Sequence, residues 1–121
     1  MAVTALNIVK TDNPLVWKIY WTGLAKGDTG APFRADLIHA AGGSDRSAQI
    51  VGTFDSATIT IEGSNDGTNY TTLTDPQGNA LSFTTAAIEA ISEYTLFIRP
   101  NVAGTGGTTS LGVYMAVKGT N

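Results

Sequence analysis

The sequence predicts an all-β chain folded as an antiparallel β-sandwich. Three observations predict it. Apolar and polar residues alternate with period two in short runs. Breaks rich in Gly, Asn, Asp and Pro separate those runs at regular spacing. One stretch, Ala57 to Leu73 (ATITIEGSNDGTNYTTL), reads as a complete β-hairpin. In it Ala57, Ile59 and Ile61 alternate with Thr58, Thr60 and Glu62, giving one buried and one wet face. Ser64, Asn65, Asp66 and Gly67 interrupt the pattern, with Asp66 and Gly67 as the structural turn and Gly67 expected at positive φ. Thr68 to Leu73 resumes the strand, Tyr70 and Thr72 opposed to Asn69, Thr71 and Leu73.

The remaining elements follow in order. Residues 1–14 (MAVTALNIVKTDNP) alternate weakly and end on the turn signal Asp12-Asn13-Pro14. They are expected to form an N-terminal arm with a short strand at Val3 to Val9, ahead of a single domain spanning 15–121. Leu15 to Thr22 is a strand, because that geometry puts Leu15, Trp17, Ile19 and Trp21 on one face, whereas a helix would scatter the two Trp. Gly23 to Pro32 is a loop, Phe33 to Ala40 a strand and Ala41 to Asp45 a turn. Ser47 to Phe54 is a strand with Ala48, Ile50, Gly52 and Phe54 on one side. Thr74 to Asn79 is a turn cluster before a short strand at Ala80 to Thr84. Thr85 to Tyr94 offers one or two turns of helix or an irregular loop, with Ile88 and Ile91 three apart and Thr85 as cap. Thr95 to Val102 is a strand whose Pro100 points to an edge or a strand end. After the flexible turn Ala103 to Thr109, Ser110 to Lys118 turns Leu111, Val113, Met115 and Val117 inward and Tyr114 and Lys118 outward. About eight short strands at regular spacing point to a sandwich of jelly-roll type. Its expected core holds Ile59, Ile61, Leu96, Ile98, Val113 and Met115.

Composition narrows the function classes. At 121 residues and 12.6 kDa the chain suits one hydrophobic core, and it has no Cys for disulfides or thiolate metal sites. Charged residues make up 14 %, against about a quarter in ordinary domains, and Thr, Ser, Asn and Gly take their place. Such a surface suits a β protein that meets neighbours over broad areas. A net charge of −3 and only seven scattered Lys and Arg speak against nucleic acid as a partner. No apolar run has the length of a membrane span and no signal-peptide core is evident, so no membrane partner is expected and synthesis is expected in a cytoplasm.

The inventory for chemistry is thin. His39 is the only His; Asp36 and Ser44 stand near it, but no nucleophile elbow accompanies them, so no catalytic residue and no enzymatic activity are expected. Asn65, Asp66, Asn69 and Asp75 are oxygen-rich but lack the acidic density and closing Glu of a Ca²⁺ loop, and turn service is the better reading. No metal and no cofactor are expected. Trp17, Tyr20, Trp21 and Tyr70 form either a sugar-stacking platform or an interface, with the two Trp better placed as core filling and Tyr20 as a contact.

From Val51 onward the residues carry a resemblance. The series GTFDSATITIEGSNDGTNYTTLTDPQGNALSF, then FIRPNV and SLGVYMAVKG, resembles small virion proteins of tailed bacteriophages, among them capsid decoration (cement) proteins of sandwich or jelly-roll type. The likeness covers a little over half the chain, most specifically at Gly63-Ser-Asn-Asp-Gly67, Asp75-Pro-Gln-Gly78 and Phe97-Ile-Arg-Pro100. The hairpin, with Tyr70 at its aromatic position, is also similar to one in discoidin-like carbohydrate-binding sandwiches. The first resemblance implies a virion protein on the capsid surface, made in the host cytoplasm. Its partners would be the major capsid protein and copies of itself, as a dimer or trimer. The second implies a tail or head appendage that binds glycan. Expected partner contacts are Val3, Leu6 and Ile8 of the arm, Tyr20 and Tyr70, with the Gly-rich loops 23–32 and 103–109.

Overall fold

The computed structural model describes residues 2–35 and 45–119. Among these, twelve strands occur: β1 (Val3–Thr4), β2 (Asn7–Lys10), β3 (Val16–Leu24), β4 (Thr29–Gly30), β5 (Phe33–Arg34), β6 (Asp45–Thr53), β7 (Thr58–Ser64), β8 (Thr71–Thr72), β9 (Ser82–Phe83), β10 (Ala87–Ile91), β11 (Phe97–Ala103) and β12 (Ser110–Lys118). They form two sheets. One has five strands in the order β10-β6-β12-β3-β2, antiparallel at every pairing. The other has seven, in the order β1-β4-β11-β7-β8, with β5 also on β11 and β9 also on β7.

Period-two alternation places the core between the sheets. Ile19, Trp21, Ala48, Ile50, Val113, Met115 and Val117 come from the five-stranded sheet, and Ile59, Ile61, Ile98 and Val102 from the other. Burying each large apolar side chain contributes about 1.5–3 kcal/mol. Trp21 is fully buried, and its Nε1 donates to the Ala31 carbonyl at 2.8 Å, so the indole leaves no orphan donor. Trp17 packs against the same core, partly buried. In β3 the register slips by one: Trp21 faces Val113 but Leu24 faces Leu111. Gly23, at φ +69, absorbs the extra residue, and this bulge keeps both Trp21 and Leu24 inward.

The chain crosses between the sheets after β6 on a tight turn. Asp55 and Ser56 both have positive φ, the Ala57 N–H closes the turn on the Phe54 carbonyl, and the Asp55 carboxylate accepts from the N–H and hydroxyl of Thr108.

Several expectations are corrected. Thr85 to Tyr94 is not helical. Ala87–Ile91 is a strand paired with β6, with Ala87, Glu89 and Ile91 facing in and Ile88 and Ala90 out. A three-residue spacing of Ile fits one helical turn, but pairing with an existing strand satisfies the backbone better than so short a helix would. Pro100 lies inside β11, a strand with neighbours on both sides. Opposite it, Ile61 accepts from Leu73 and donates to the Leu81 carbonyl, so the Pro100–Ile61 pair exchanges no hydrogen bond and the missing N–H costs nothing there. On its other side, β11 changes neighbours from β5 to β4 at this point. Leu96, expected in the core, is 39 % exposed. The chain bends at Leu96 and β11 starts at Phe97, so Leu96 does not share the inward parity of Ile98. The central hairpin is looser than expected, since β8 pairs only at Glu62–Thr72 and Gly63–Thr71.

Residues 2–14 are stitched into both sheets, β1 parallel to β4 and β2 antiparallel to β3. The Ala2 N–H reaches the buried Asp28 carboxylate at 3.0 Å. Of the expected strand Phe33 to Ala40, Phe33–Arg34 is present as β5; the remainder past Ala35, and the turn up to Ser44, lie outside the described residues.

Candidate docking surface

The expected turn at Asp66 is built as read. The Asp66 carboxylate accepts from the Ser64 hydroxyl, the Thr68 and Asn69 N–H groups and the Asn69 side-chain amide, all at 2.8 Å. The Ser64 hydroxyl oxygen accepts in return from the Asp66 and Gly67 N–H groups. The Asn69 and Thr68 amides hold the carboxylate well below the usual range, the Asn69 side chain and Ser64 adding to them. Gly67 has φ +79, and a Cβ there would meet the Phe97 ring at 3.1 Å. Asp75 serves its own turn, accepting from Gln77 and Asn79, and its pKa is lowered chiefly by the Asn79 amide. Asn65 accepts from the Leu96 N–H. Asn65, Asp66 and Asp75 therefore hold backbone groups and the Asn69 side chain is spent on Asp66, and no cluster of three His, Cys, Asp or Glu suited to a metal ion occurs among the described residues. His39, Asp36 and Ser44 lie outside them.

Tyr70 sits on the outer face of the seven-stranded sheet. The Arg99 guanidinium lies 3.8 Å from the centre of its ring, and Arg99 Nε donates to Glu62 at 3.1 Å. Asn101 donates to the other oxygen of Glu62 at 3.1 Å. Glu62, Arg99 and Asn101 project from neighbouring strands on alternate residues, which is what brings them together. One ring face of Tyr70 is thus occupied from within the chain.

The outer face of the five-stranded sheet is different. Its register aligns Ile88, Gln49, Tyr114, Tyr20 and Asn7 in one row across all five strands. Beside it runs a row of Ala90, Ser47, Ala116, Lys18 and Val9. Tyr20 and Tyr114 stack at 5.5 Å with 16° between their planes, and Lys18 Nζ lies 5.2 Å and 5.7 Å from their centres. The small side chains of Ser47 and Ala116 leave a trough. One lobe, of about 360 Å³, is lined by Tyr114, Gln49, Ile88, Lys18 and Val16; the other, of about 350 Å³, runs toward Asp45 and Lys118. The Ser47 and Gln49 side chains make no hydrogen bond among the described residues, and Ile88 is 63 % exposed.

Of the expected contacts, then, Tyr20 lies in this face and Tyr70 on the opposite one. Val3 is exposed on β1, while Leu6 and Ile8 are half-buried against the core. Sequence reading set Tyr114 outward but had no reason to join it to Tyr20, nor to single out Ser47, Gln49, Ile88 and Ala116. Period two gives a side chain's face; only the strand order makes Tyr114 a neighbour of Tyr20.

No family model matches the chain, and no curated protein matches it by sequence. Among solved structures, the SPBc2 prophage-derived protein YomS is similar, with a TM-score of 0.61 at 16 % identity over 92 % of this chain and 98 % of that one. The likeness is one of fold. Peruvianin-I, a cysteine peptidase from Thevetia peruviana latex, gives a TM-score of 0.47 at 11 % identity over 96 % of this chain and 61 % of its own, too low to establish a common fold.

Proposed function

We propose that this protein is a non-enzymatic structural component of a phage virion, a capsid decoration protein that clamps neighbouring capsid subunits from the outside of the shell. The observation that carries the reading is the outer face of the five-stranded sheet, which is broad, shallow and sparsely charged, with an aromatic pair beside a trough of small residues. Aromatic anchors amid small, uncharged neighbours make the centre of a protein–protein contact rather than a catalytic cleft. The strand orders support a jelly roll: β3, β12, β6 and β10 neighbour one another in one sheet, and β4 or β5, β11, β7 and β8 or β9 in the other. That layout is common in viral capsid and lectin domains. The phage origin of YomS supports the same setting.

A glycan-binding appendage would present open aromatic rings, whereas Tyr20 and Tyr114 each spend one ring face on the other and Tyr70 spends one on Arg99. The protein reading is therefore preferred, with Tyr20, Tyr114, Ala116 and the exposed Val3 as the proposed contacts. The test adds purified protein to undecorated particles of the phage that encodes it. High-copy binding and a raised disruption temperature are expected, and Ala116→Arg, which fills the trough without touching the core, should lose that binding while remaining folded. Occupancy confined to a few copies on the tail, or binding unaffected by Ala116→Arg, would overturn the reading.

A further inference from the structure

The edges of the two sheets are protected to different degrees. β1, β8 and β9 have two residues each, too short to template another strand. β2 ends in Lys10, a charge of the kind that keeps edges apart. β10 is the exception. It closes the five-stranded sheet, pairs only with β6 among the described residues, and runs Ala-Ile-Glu-Ala-Ile without Lys, Arg, Pro or Gly, its one charge being the inward-turned Glu89. It is also held firmly just beyond its end. The Ser92 N–H donates to the Thr74 carbonyl, and the Glu93 carboxylate takes the Thr74 N–H at 2.8 Å and its hydroxyl at 2.6 Å. A strand already ordered along its length adds little entropy cost when a second strand pairs with it.

From this we infer that β10 is a self-association edge: two copies of the chain pair antiparallel along residues 86–90 about a two-fold axis at Ile88 and join their five-stranded sheets into one of ten strands. A strand edge is self-complementary under such an axis. Pleating requires directly opposed residues to lie on the same face, so the symmetric registers are those centred on a residue. A register centred on Glu89 would set carboxylate against carboxylate and is disfavoured. Centring on Ile88 places the two exposed Ile88 side chains together, Glu89 of each copy opposite Ala87 of the other, and Ala90 opposite Ala86. Charge thus excludes the register on Glu89, and among the others the one on Ile88 buries the most exposed Ile in the strand. The outward row from Ile88 to Asn7 then continues into the same row of the second copy, and both troughs face the same way. This inference does not depend on the capsid reading, since it concerns the free protein.

Absence of Cys from the chain makes the test clean. In Ile88→Cys, paired strands would hold two thiols at the roughly 5 Å Cα spacing that a disulfide accepts. Oxidation with copper phenanthroline should link copies about tenfold faster than in Gln49→Cys, whose residue lies one strand in from the edge on the same face. Sedimentation should show a monomer–dimer equilibrium that rises with concentration and is abolished by Ile88→Lys, with circular dichroism unchanged. A protein monomeric at every concentration would overturn the inference. So would equal cross-linking of the two Cys variants, or a dimer that survives Ile88→Lys.

Discussion

On the outer face of the seven-stranded sheet, Glu62, Arg99, Asn101 and Tyr70 answer one another: two hydrogen bonds to one carboxylate, and a guanidinium laid over a ring. The five-stranded sheet also carries aromatic and polar residues outward. There Tyr20, Tyr114 and Lys18 gather, but Ser47 and Gln49 make no side-chain hydrogen bond among the described residues and Ile88 stays largely in solvent. Glu62, Arg99 and Asn101 of the first face gain little from a partner, because they would have to surrender bonds they already make. The second can gain hydrogen bonds and apolar burial at little loss. Two faces of similar composition are thus told apart by whether their groups are already spent.

Both faces depend on one core, and the largest expected effect comes from breaking it. Trp21→Ala removes a fully buried indole and the bond to Ala31, and should cost about 3–5 kcal/mol in chemical denaturation. A loss under about 1 kcal/mol would mean that the sheets do not rely on this residue to stay together. The next effect separates the faces. Glu62→Ala strands Arg99 and Asn101 and should cost about 1–3 kcal/mol, whereas Gln49→Ala on the other face should stay within about 0.5 kcal/mol. Equal losses would erase the distinction between the spent and the unspent face.

How much of this was legible in the sequence follows from which interactions are local. The strand of Ile59 and Ile61, the inward Leu111-Val113-Met115-Val117 series and the positive φ of Gly67 depend on neighbours within a few residues, and alternation or turn chemistry reveals them. Pro100 misled because its tolerance depends on what Ile61 bonds to, thirty-nine positions away by numbering (100 − 61). Residues 87–91 misled because Ala and Ile at short spacing suit either period, and β6 decides between them. The docking face was hardest to see, since the Tyr20–Tyr114 stack and the trough over Ser47 and Ala116 exist only once β6, β12 and β3 lie side by side.

Acid should weaken the loop-bearing side of the molecule. Asp66, Asp75, Asp55 and Glu93 all have pKa values lowered by hydrogen bonds, led respectively by the Asn69 amide, the Asn79 amide, the Thr108 hydroxyl and the Thr74 hydroxyl. A carboxylate whose folded pKa lies below its unfolded one adds stability that is complete above the unfolded value and is lost as pH falls through the folded one. The melting temperature should therefore be level from neutral pH down to about 5 and decline below about pH 4, where unfolded carboxylates take up protons. Asp66→Asn removes one of these titrations and should give a shallower acid limb; a limb as steep as in the parent would show that the Asp66 loop is not part of the acid response.

The smallest effect is expected at the rim of the open face. Lys118 Nζ lies 3.9 Å from the Asp45 carboxylate, with the two side chains 60 % and 67 % exposed. At that distance, in water, the attraction is largely offset by the entropy of fixing two long side chains and by salt screening, so Lys118→Gln should change stability by less than about 0.5 kcal/mol. The pair nevertheless borders the second lobe of the trough. If that lobe meets a partner, water leaves and the unchanged stability of the free protein will coexist with weaker binding to particles, the loss being greatest at low salt. Lys118→Gln binding that matches the parent at every salt concentration would confine the contact to the lobe between Tyr114 and Ile88, and a marked drop in the melting temperature would show that the rim belongs to the spent side of the comparison after all.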